Sequence, residues 1–465
     1  MRHGHWIGGR AEEPANRSYL PTLDPATGLP GDEVAAGSAP DVDRAVAAAE
    51  GAWREWSRRS AADRSEALHR VADAMAAHAD ALIDLERACT GKVPAQLRLE
   101  VDMSVSYFRY YAGILRAHHG RTVDQGAGHH TYTRLEPYGV VAVITPWNLP
   151  LNQACRASAP ALAAGNAVVA KPSELTSAST LMLARLATES GLLDGLLNVV
   201  TGTGLDVGTP LAVHPDVRRI AFTGSVVTGR HLATIAADRI VPATLELGGK
   251  SPLLVFADAD LDRAVAAAVS AVTANAGQVC SATTRLLVEA PVHDEVVARV
   301  VEALELLKPG VDFGPMITEA QYRKVLDHFA TAGAVPVTGG TAYDDLPGLY
   351  VRPTVYAGVD PRLRIAREEV FGPVLVTLPF TGEAEALALA NDTEYGLVAA
   401  VWSGDIARAL RLAERIEAGQ IAVNGGALGI ETPFGGFKQS GYGREKGIEA
   451  LHEYARTKTV SLSLH

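Results

Sequence analysis

The chain has 465 residues, enough for about three structural units of ordinary size, and its 48% apolar and 20% charged composition is that of a globular protein with a large core, which excludes a disordered chain. Asp and Glu number 53 against 42 Lys and Arg, leaving a net charge of −11, and no Lys/Arg block forms a stripe for phosphates, so nucleic acid is not an expected partner. Three cysteines (Cys89, Cys155, Cys280), an odd number without zinc or disulfide-framework spacing, point to a reducing cytoplasm. The N-terminus lacks an apolar signal core and no run reaches the roughly 18 residues of a membrane span, so no membrane partner is expected.

Val42, Val46, Ala49, Trp53 and Trp56 recur at helical spacing and predict an amphipathic helix over residues 41–59, its tryptophans in the core. Residues 116–136, rich in His, Thr, Tyr and Arg, and the alternating tail KTVSLSL read as exposed strands. Unpaired edges of that kind invite a second chain, so a homodimer or homotetramer is expected. His118, His119, His129 and His130 fall in or beside the first segment without metal-ligand spacing such as H-E-x-x-H; no metal is expected, and they are placed in solvent or at an oligomer contact.

From residue 139 onward, the β-branched runs GVVAVIT, NAVVAK, LLNVV and VRRIAF alternate with stretches of helical character, the pattern of a parallel sheet covered on both faces. A second series, PLLVF, RLLVE, PVLVTLPF, GLVAAVW and QIAVN, follows the Gly-rich seam LELGGKSP near residue 248. Asp258 or Asp260 is expected to cap a helix bearing Leu261, Val265, Val269 and Val272. Ligand sites are expected at the carboxyl ends of such strands.

Chemistry concentrates in NAGQVCSATTR, where Cys280 stands in a turn between helix and strand. Cys89 and Cys155 read as small core hydrophobes. In FTGSVVTG a strand ends at Phe222 and Gly224-Ser225, and a helix follows with Gly229 one turn in, presenting backbone N–H groups to a pyrophosphate.

Together with TPWNLP (145–150), KPSE (171–174), LELGGK (245–250), EEVFGP (368–373) and PFGGFKQSGYGRE (433–445), these segments resemble, in family order over almost the whole chain, the NAD(P)-dependent aldehyde dehydrogenase superfamily. The resemblance implies an α/β fold with a Rossmann-type cofactor domain (1–115 and 137–247), an α/β catalytic domain (248–440) and a small β oligomerisation segment (116–136 and 452–465). It implies that Cys280 is the nucleophile, that Asn148 joins the Cys280 backbone N–H in an oxyanion hole, and that Glu246 is the base that activates water against a thioester. Glu445 is carried over as an auxiliary base or proton relay. CoA-acylating and phosphate-reducing relatives typically lack a glutamate at position 246, so the implied product is a free carboxylic acid.

For the cofactor the resemblance implies Thr145, Pro146, Trp147, Lys171, Ser173, Glu174, Gly204, Phe222, Gly224, Ser225, Gly229, Leu247, Gly248, Glu369 and Phe371. Glu174 beside the ribose accepts from its hydroxyls and repels a 2′-phosphate, which favours NAD while leaving NADP open. The substrate pocket is expected from Leu149, Arg156, Ala274, Val279, Ser281 and Phe434. Arginine at position 156 occurs in semialdehyde and hydroxyaldehyde enzymes, where its planar fork suits a polar group, but also in benzaldehyde-type ones. The aromatic box of betaine-aldehyde enzymes is mostly missing. The expected substrate is therefore an aliphatic or aromatic aldehyde without quaternary nitrogen; a semialdehyde or hydroxyaldehyde bound by Arg156 is the alternative, and a cofactor-independent thiol esterase is the alternative of another class.

Overall fold

The computed structural model describes residues 1–464; His465, the last residue of the expected oligomerisation segment, lies outside them. The first predicted helix forms as Ala39–Trp56, with the Asp41 carboxylate accepting from the Ser38 N–H (2.9 Å) at its first turn. Val42, Val46, Ala49 and Trp56 are buried, whereas Trp53 stays half-buried at the core's edge beside the Gly139 turn.

Five parallel strands form the heart of an eight-stranded sheet, in the order Ala243–Glu246, Val217–Thr223, Val140–Ile144, Ala167–Lys171, Leu197–Val199. The N-terminal strands His5–Ile7 and Arg10–Glu12 extend one edge and Gly441–Tyr442 the other, all antiparallel. Val140–Ile144 sits between its two successors in opposite directions, so the connections leaving it and Val217–Thr223 diverge and open a crevice at their carboxyl ends. Residues 145–149 and 224–225 occupy that crevice.

The second series pairs, wholly in parallel, as a six-stranded sheet: Thr354–Tyr356, Val374–Phe380, Arg285–Glu289, Pro252–Val255, Val398–Trp402, Gln420–Val423. Leu254, Leu287 and Val376 pack into one apolar cluster, and Leu253, Val255, Leu286 and Val288 into another. Both faces are covered, which is why these strands are apolar throughout. Asp260 is the cap of helix Leu261–Thr273, its side chain accepting from the Arg263 N–H at 3.2 Å.

The sequence-derived site residues stand at strand carboxyl ends in the first sheet and at strand amino ends in the second. Only residues 247–251 separate Glu246 from Pro252, so the carboxyl edge of one sheet faces the amino edge of the other, and Cys280, Glu369 and Phe371 precede their strands.

His129–Pro137 pairs antiparallel with Ala455–Ser463 over nine residues and with Thr122–Val123 on its other side, so the tail is paired within its own chain. His119, His129 and His130 are exposed there. His118 departs from the solvent placement: its ring stacks on His452 at 5.4 Å, and burial pushes its pKa down to about 4, so it is neutral at pH 7.

Helix Pro150–Ala163 is buried along its whole length and held at both ends. The Leu151 N–H donates to the buried Glu86 carboxylate (3.0 Å), a favourable charge at a helix N-terminus. Trp56 Nε1 donates to the Leu162 carbonyl (2.9 Å) near the C-terminus. Trp56→Phe removes that donor and leaves the carbonyl to the Gly165 N–H (3.0 Å), and is expected to lower the unfolding free energy by about 0.5–1.5 kcal/mol, read from the urea midpoint.

Candidate active site

The nucleophile loop is shaped by two non-glycine residues in the left-handed region, Asn275 (φ 50°) and Ala276 (φ 51°), followed by Gly277 (φ 73°). A side chain at Gly277 would come within 2.1 Å of the Gly372 carbonyl oxygen, so only glycine lets the loop pass there. Asn275 and Gln278, both buried, hold the turn. The Asn275 amide donates to the Asn148 and Gln278 carbonyls (3.0 and 3.1 Å), and Gln278 Nε2 donates to the Asn275 and Pro315 carbonyls (2.8 and 3.2 Å).

Asn148 stands at the entrance of the buried helix, and its Nδ2 donates to the Gln278 carbonyl at 2.9 Å. One amide hydrogen is thereby fixed, and the second keeps a set direction for an oxyanion beside Cys280. Burial pushes the Cys280 thiol up to about 12, while the Arg156 cation and the Ser281 backbone N–H draw it down. At neutral pH this sulfur is protonated.

Glu246 ends the strand Ala243–Glu246 and is 1% exposed, with no hydrogen bond to either carboxylate oxygen. Burial, then the Glu445 charge, raise its pKa well above the carboxylate range; Arg156, Arg444 and Lys446 oppose that rise. A carboxylate so placed has the raised basicity that proton abstraction requires.

Cys280 and Glu246 share a cavity of about 170 Å³ with Pro146, Trp147, Asn148, Gly224, Ser225, Leu247, Gly248, Glu369 and Phe371, all in the sequence-derived set. Trp147 and Phe371 meet edge to face at 5.5 Å, and Glu369 accepts from the Gly249 N–H at 3.0 Å. Gly229 lets helix Val226–Arg239 settle on Leu247, since a side chain there would meet Leu247 at 2.6 Å. Ser225 caps that helix through the Thr228 N–H (3.2 Å) and leaves the remaining first-turn donors facing the crevice.

The other expected cofactor residues stand outside this cavity. Lys171, buried, donates to Glu174 at 3.3 Å. Thr145 donates its N–H to the Lys171 carbonyl, Ser173 accepts from the Leu175 N–H, Gly204 opens a short turn ending at Gly208 against the Lys171 stem, and Phe222 lies under Gly224.

A second space, a cleft of about 830 Å³, takes Leu149, Ala274 and Val279. The two dipeptides Asn148-Leu149 and Val279-Cys280 face the cavity with one residue and the cleft with the other, so they form the wall between the two spaces. Three expected pocket residues do not line the cleft. Ser281 borders neither space. Arg156 is buried in an ion pair with Glu445, donates to Thr223 Oγ1 (3.2 Å) and lies 5.0 Å over the Phe434 ring, which removes both Arg156 and Phe434 from the cleft wall.

The sequence reading missed Gln153, Thr223, Gln321 and Lys324 on the cavity side and Leu99, Met103, Asn152, Val265 and Val269 on the cleft side. Leu99 and Met103, exposed apolar residues one turn apart on helix Pro94–Ile114, carried a signal: that spacing puts both on one open face.

The chain matches the aldehyde dehydrogenase family model over residues 12–460. An NAD-dependent aldehyde dehydrogenase from Sinorhizobium meliloti is 41% identical, with 100% of this chain and 95% of that one covered at a TM-score of 0.97. Betaine aldehyde dehydrogenase from Staphylococcus aureus in complex with NAD+ is 36% identical, with coverages of 100% and 95% and a TM-score of 0.97. A mutant aldehyde dehydrogenase from Bacillus cereus is 34% identical, with coverages of 100% and 97% and a TM-score of 0.98.

Cys89 and Cys155 are buried, which pushes their thiols well above the ordinary range, whereas Cys280 is part-exposed. Brief iodoacetamide treatment followed by peptide mapping is therefore expected to label Cys280 first, at a rate that climbs from pH 7 to pH 10 because the thiolate fraction grows throughout.

Proposed function

The chain belongs to the aldehyde dehydrogenase family, and we propose that it oxidises an apolar aldehyde to the free carboxylic acid with NAD as oxidant. The observation that carries this reading is the wall itself. Cys280 and Asn148 sit between a cavity that also holds Glu246 and a wider cleft whose lining is mainly aliphatic, carries Glu100, Asp262 and Asp312, and has no aromatic or basic side chain.

In this reading the aldehyde arrives through the cleft and the dinucleotide occupies the cavity side. The residues present fit a dinucleotide. The first-turn N–H groups after Ser225 suit the pyrophosphate, Lys171 and Glu174 the adenosine ribose, and Glu369 and Phe371 the nicotinamide end. When bound, the dinucleotide supplies the acceptor for the hydride that the aldehyde carbon must lose.

Cys280 loses its thiol proton to Glu246, which passes it to solvent, as Sγ adds to the carbonyl carbon, and the oxygen that gains charge takes a hydrogen bond from the free Asn148 N–H. Loss of hydride from that carbon leaves a thioester on Cys280. Water then adds to the thioester carbon, Glu246 accepts its proton, the carbon–sulfur bond breaks and the carboxylate departs. Since Glu246 must be ionised to act, hydrolysis falls as pH drops through its raised pKa.

Arg156 supports no substrate anchor, because Glu445 already occupies its guanidinium. The reading therefore favours neutral aldehydes over semialdehydes, whose carboxylate would meet Glu100, Asp262 and Asp312 in the cleft, and the cleft has no aromatic side chain to seat a quaternary ammonium group. Residues 137–247 hold the dinucleotide and 248–440 carry the nucleophile. The exposed strand Ala455–Ser463 supplies the contact of a homo-oligomer, and three free thiols suit the cytoplasm.

The test is reduced-nicotinamide formation with benzaldehyde, hexanal, succinic semialdehyde and betaine aldehyde, each with NAD and NADP. The neutral aldehydes are expected to lead in kcat/KM by about tenfold or more, Asn148→Ala to lose about a hundred- to a thousandfold, and Cys280→Ala to give no turnover. No oxidation of any aldehyde contradicts the proposal.

A further inference from the structure

Glu246 and Glu445 are carboxylates 1% and 2% exposed that face each other in one water-poor space, an arrangement in which both cannot be ionised without a compensating cation. The loop 433–446 brings Glu445 there by pairing with itself. The Phe434 N–H donates to the Glu445 carbonyl (2.6 Å) and the Glu445 N–H to the Phe434 carbonyl (2.7 Å). Gly435, between them, keeps room for the base: a side chain there would sit 2.9 Å from Glu246 Oε1.

The cation comes from the opposite side, on the buried helix. Arg156 has its guanidinium in an ion pair with Glu445, a hydrogen bond to Thr223 Oγ1 and a face over Phe434. Thr223 is the strand partner of Glu246, so the same arginine grips both the loop that carries Glu445 and the strand next to the base. Lys446 also lies over the Phe434 ring, at 5.2 Å. The remaining groups around this space are Arg444 and Lys446 from the loop, Cys280 and Glu369 on the cavity side, Tyr107 and Tyr111 from helix Pro94–Ile114, and Tyr454 just before the last strand.

We propose that Arg156 is a positioning residue for hydrolysis: its pinned guanidinium neutralises Glu445 and so leaves Glu246 free to serve as the base at neutral pH, a task that excludes it from binding substrate. The proposal deepens the reading of the site given above and rests on it. Burial raises the Glu246 pKa, Glu445 raises it further, and Arg156 draws it back. Removing the cation alone therefore moves the ionisation of Glu246 upward, removing Glu445 alone moves it downward, and removing both returns it toward the starting point.

The experiment uses p-nitrophenyl acetate with the full chain, without cofactor. The ester acylates Cys280 and releases p-nitrophenolate in a burst; water then cleaves the thioester to acetate and free thiol in the steady phase. Arg156→Met is expected to shift the acidic limb of the steady rate up by about one pH unit or more with the burst amplitude unchanged. Glu445→Gln is expected to shift the limb down, and the double variant to lie near wild type. Arg156→Lys, which keeps the charge, is expected to hold the limb near its original position, and Glu445→Gln carries the test if Arg156→Met fails to fold.

An unmoved limb in Arg156→Met, or in Glu445→Gln, overturns the proposal. So does a rise in KM confined to succinic semialdehyde in Arg156→Lys, which makes Arg156 a substrate anchor. Failure of the underlying reading looks different: Cys280→Ala keeps the burst, or Glu246→Gln keeps the steady phase.

Discussion

A carboxylate without a hydrogen-bond partner, buried where two parallel sheets meet, is the constraint around which this molecule is arranged. Glu246 ends a strand of the first sheet, and five residues later the second sheet begins. That short link faces the carboxyl edge of one sheet with the amino edge of the other, and every group the chemistry needs comes from one edge or the other. Asn148, Ser225 and Glu246 follow strands; Cys280 and Glu369 precede them. An uncompensated ionised carboxylate in such a place is costly, and the surrounding cations Arg156, Arg444 and Lys446 are the structural answer.

The same arrangement separates the two reactants. A wall two dipeptides thick, Asn148-Leu149 and Val279-Cys280, has the wide cleft on one side and the cavity holding Glu246 on the other. Cys280 belongs to the wall, so a molecule entering from either side would reach it without crossing the other's path. The wall is stiff because the loop behind it is over-determined. Asn275 and Ala276 are held in the left-handed region, and Gln278 is bonded through both ends of its amide to Pro315, Ile317 and Asn275.

Much of this was legible in the residues. Strands buried on both faces must be apolar throughout, so PLLVF, RLLVE and PVLVTLPF announced a covered parallel sheet, and Asp258 or Asp260 a helix start, which Asp260 makes. What stayed hidden depends on approach in three dimensions. Thr354–Tyr356 is too short to show a period. Asn275 and Ala276 continue a helical-looking text but leave the helix, because their backbone is dictated by partners at residues 96 and 148. Arg156 is legible as a cation near the nucleophile but not as one already taken, since Glu445 arrives from the far end of the chain. Phe434, expected in the same pocket, lies under that guanidinium in a small cluster with Leu397 and Val398 against which Cys280 packs, outside the cleft lining.

The account's central claim is that Cys280 carries the acyl group and Glu246 releases it. Intact-mass and peptide measurement of Glu246→Gln after mixing with benzaldehyde and NAD tests it most directly. The account predicts one benzoyl group per chain, mapped to Cys280 and persisting where wild type shows none; an unmodified chain, or an acyl group on any other residue, contradicts it.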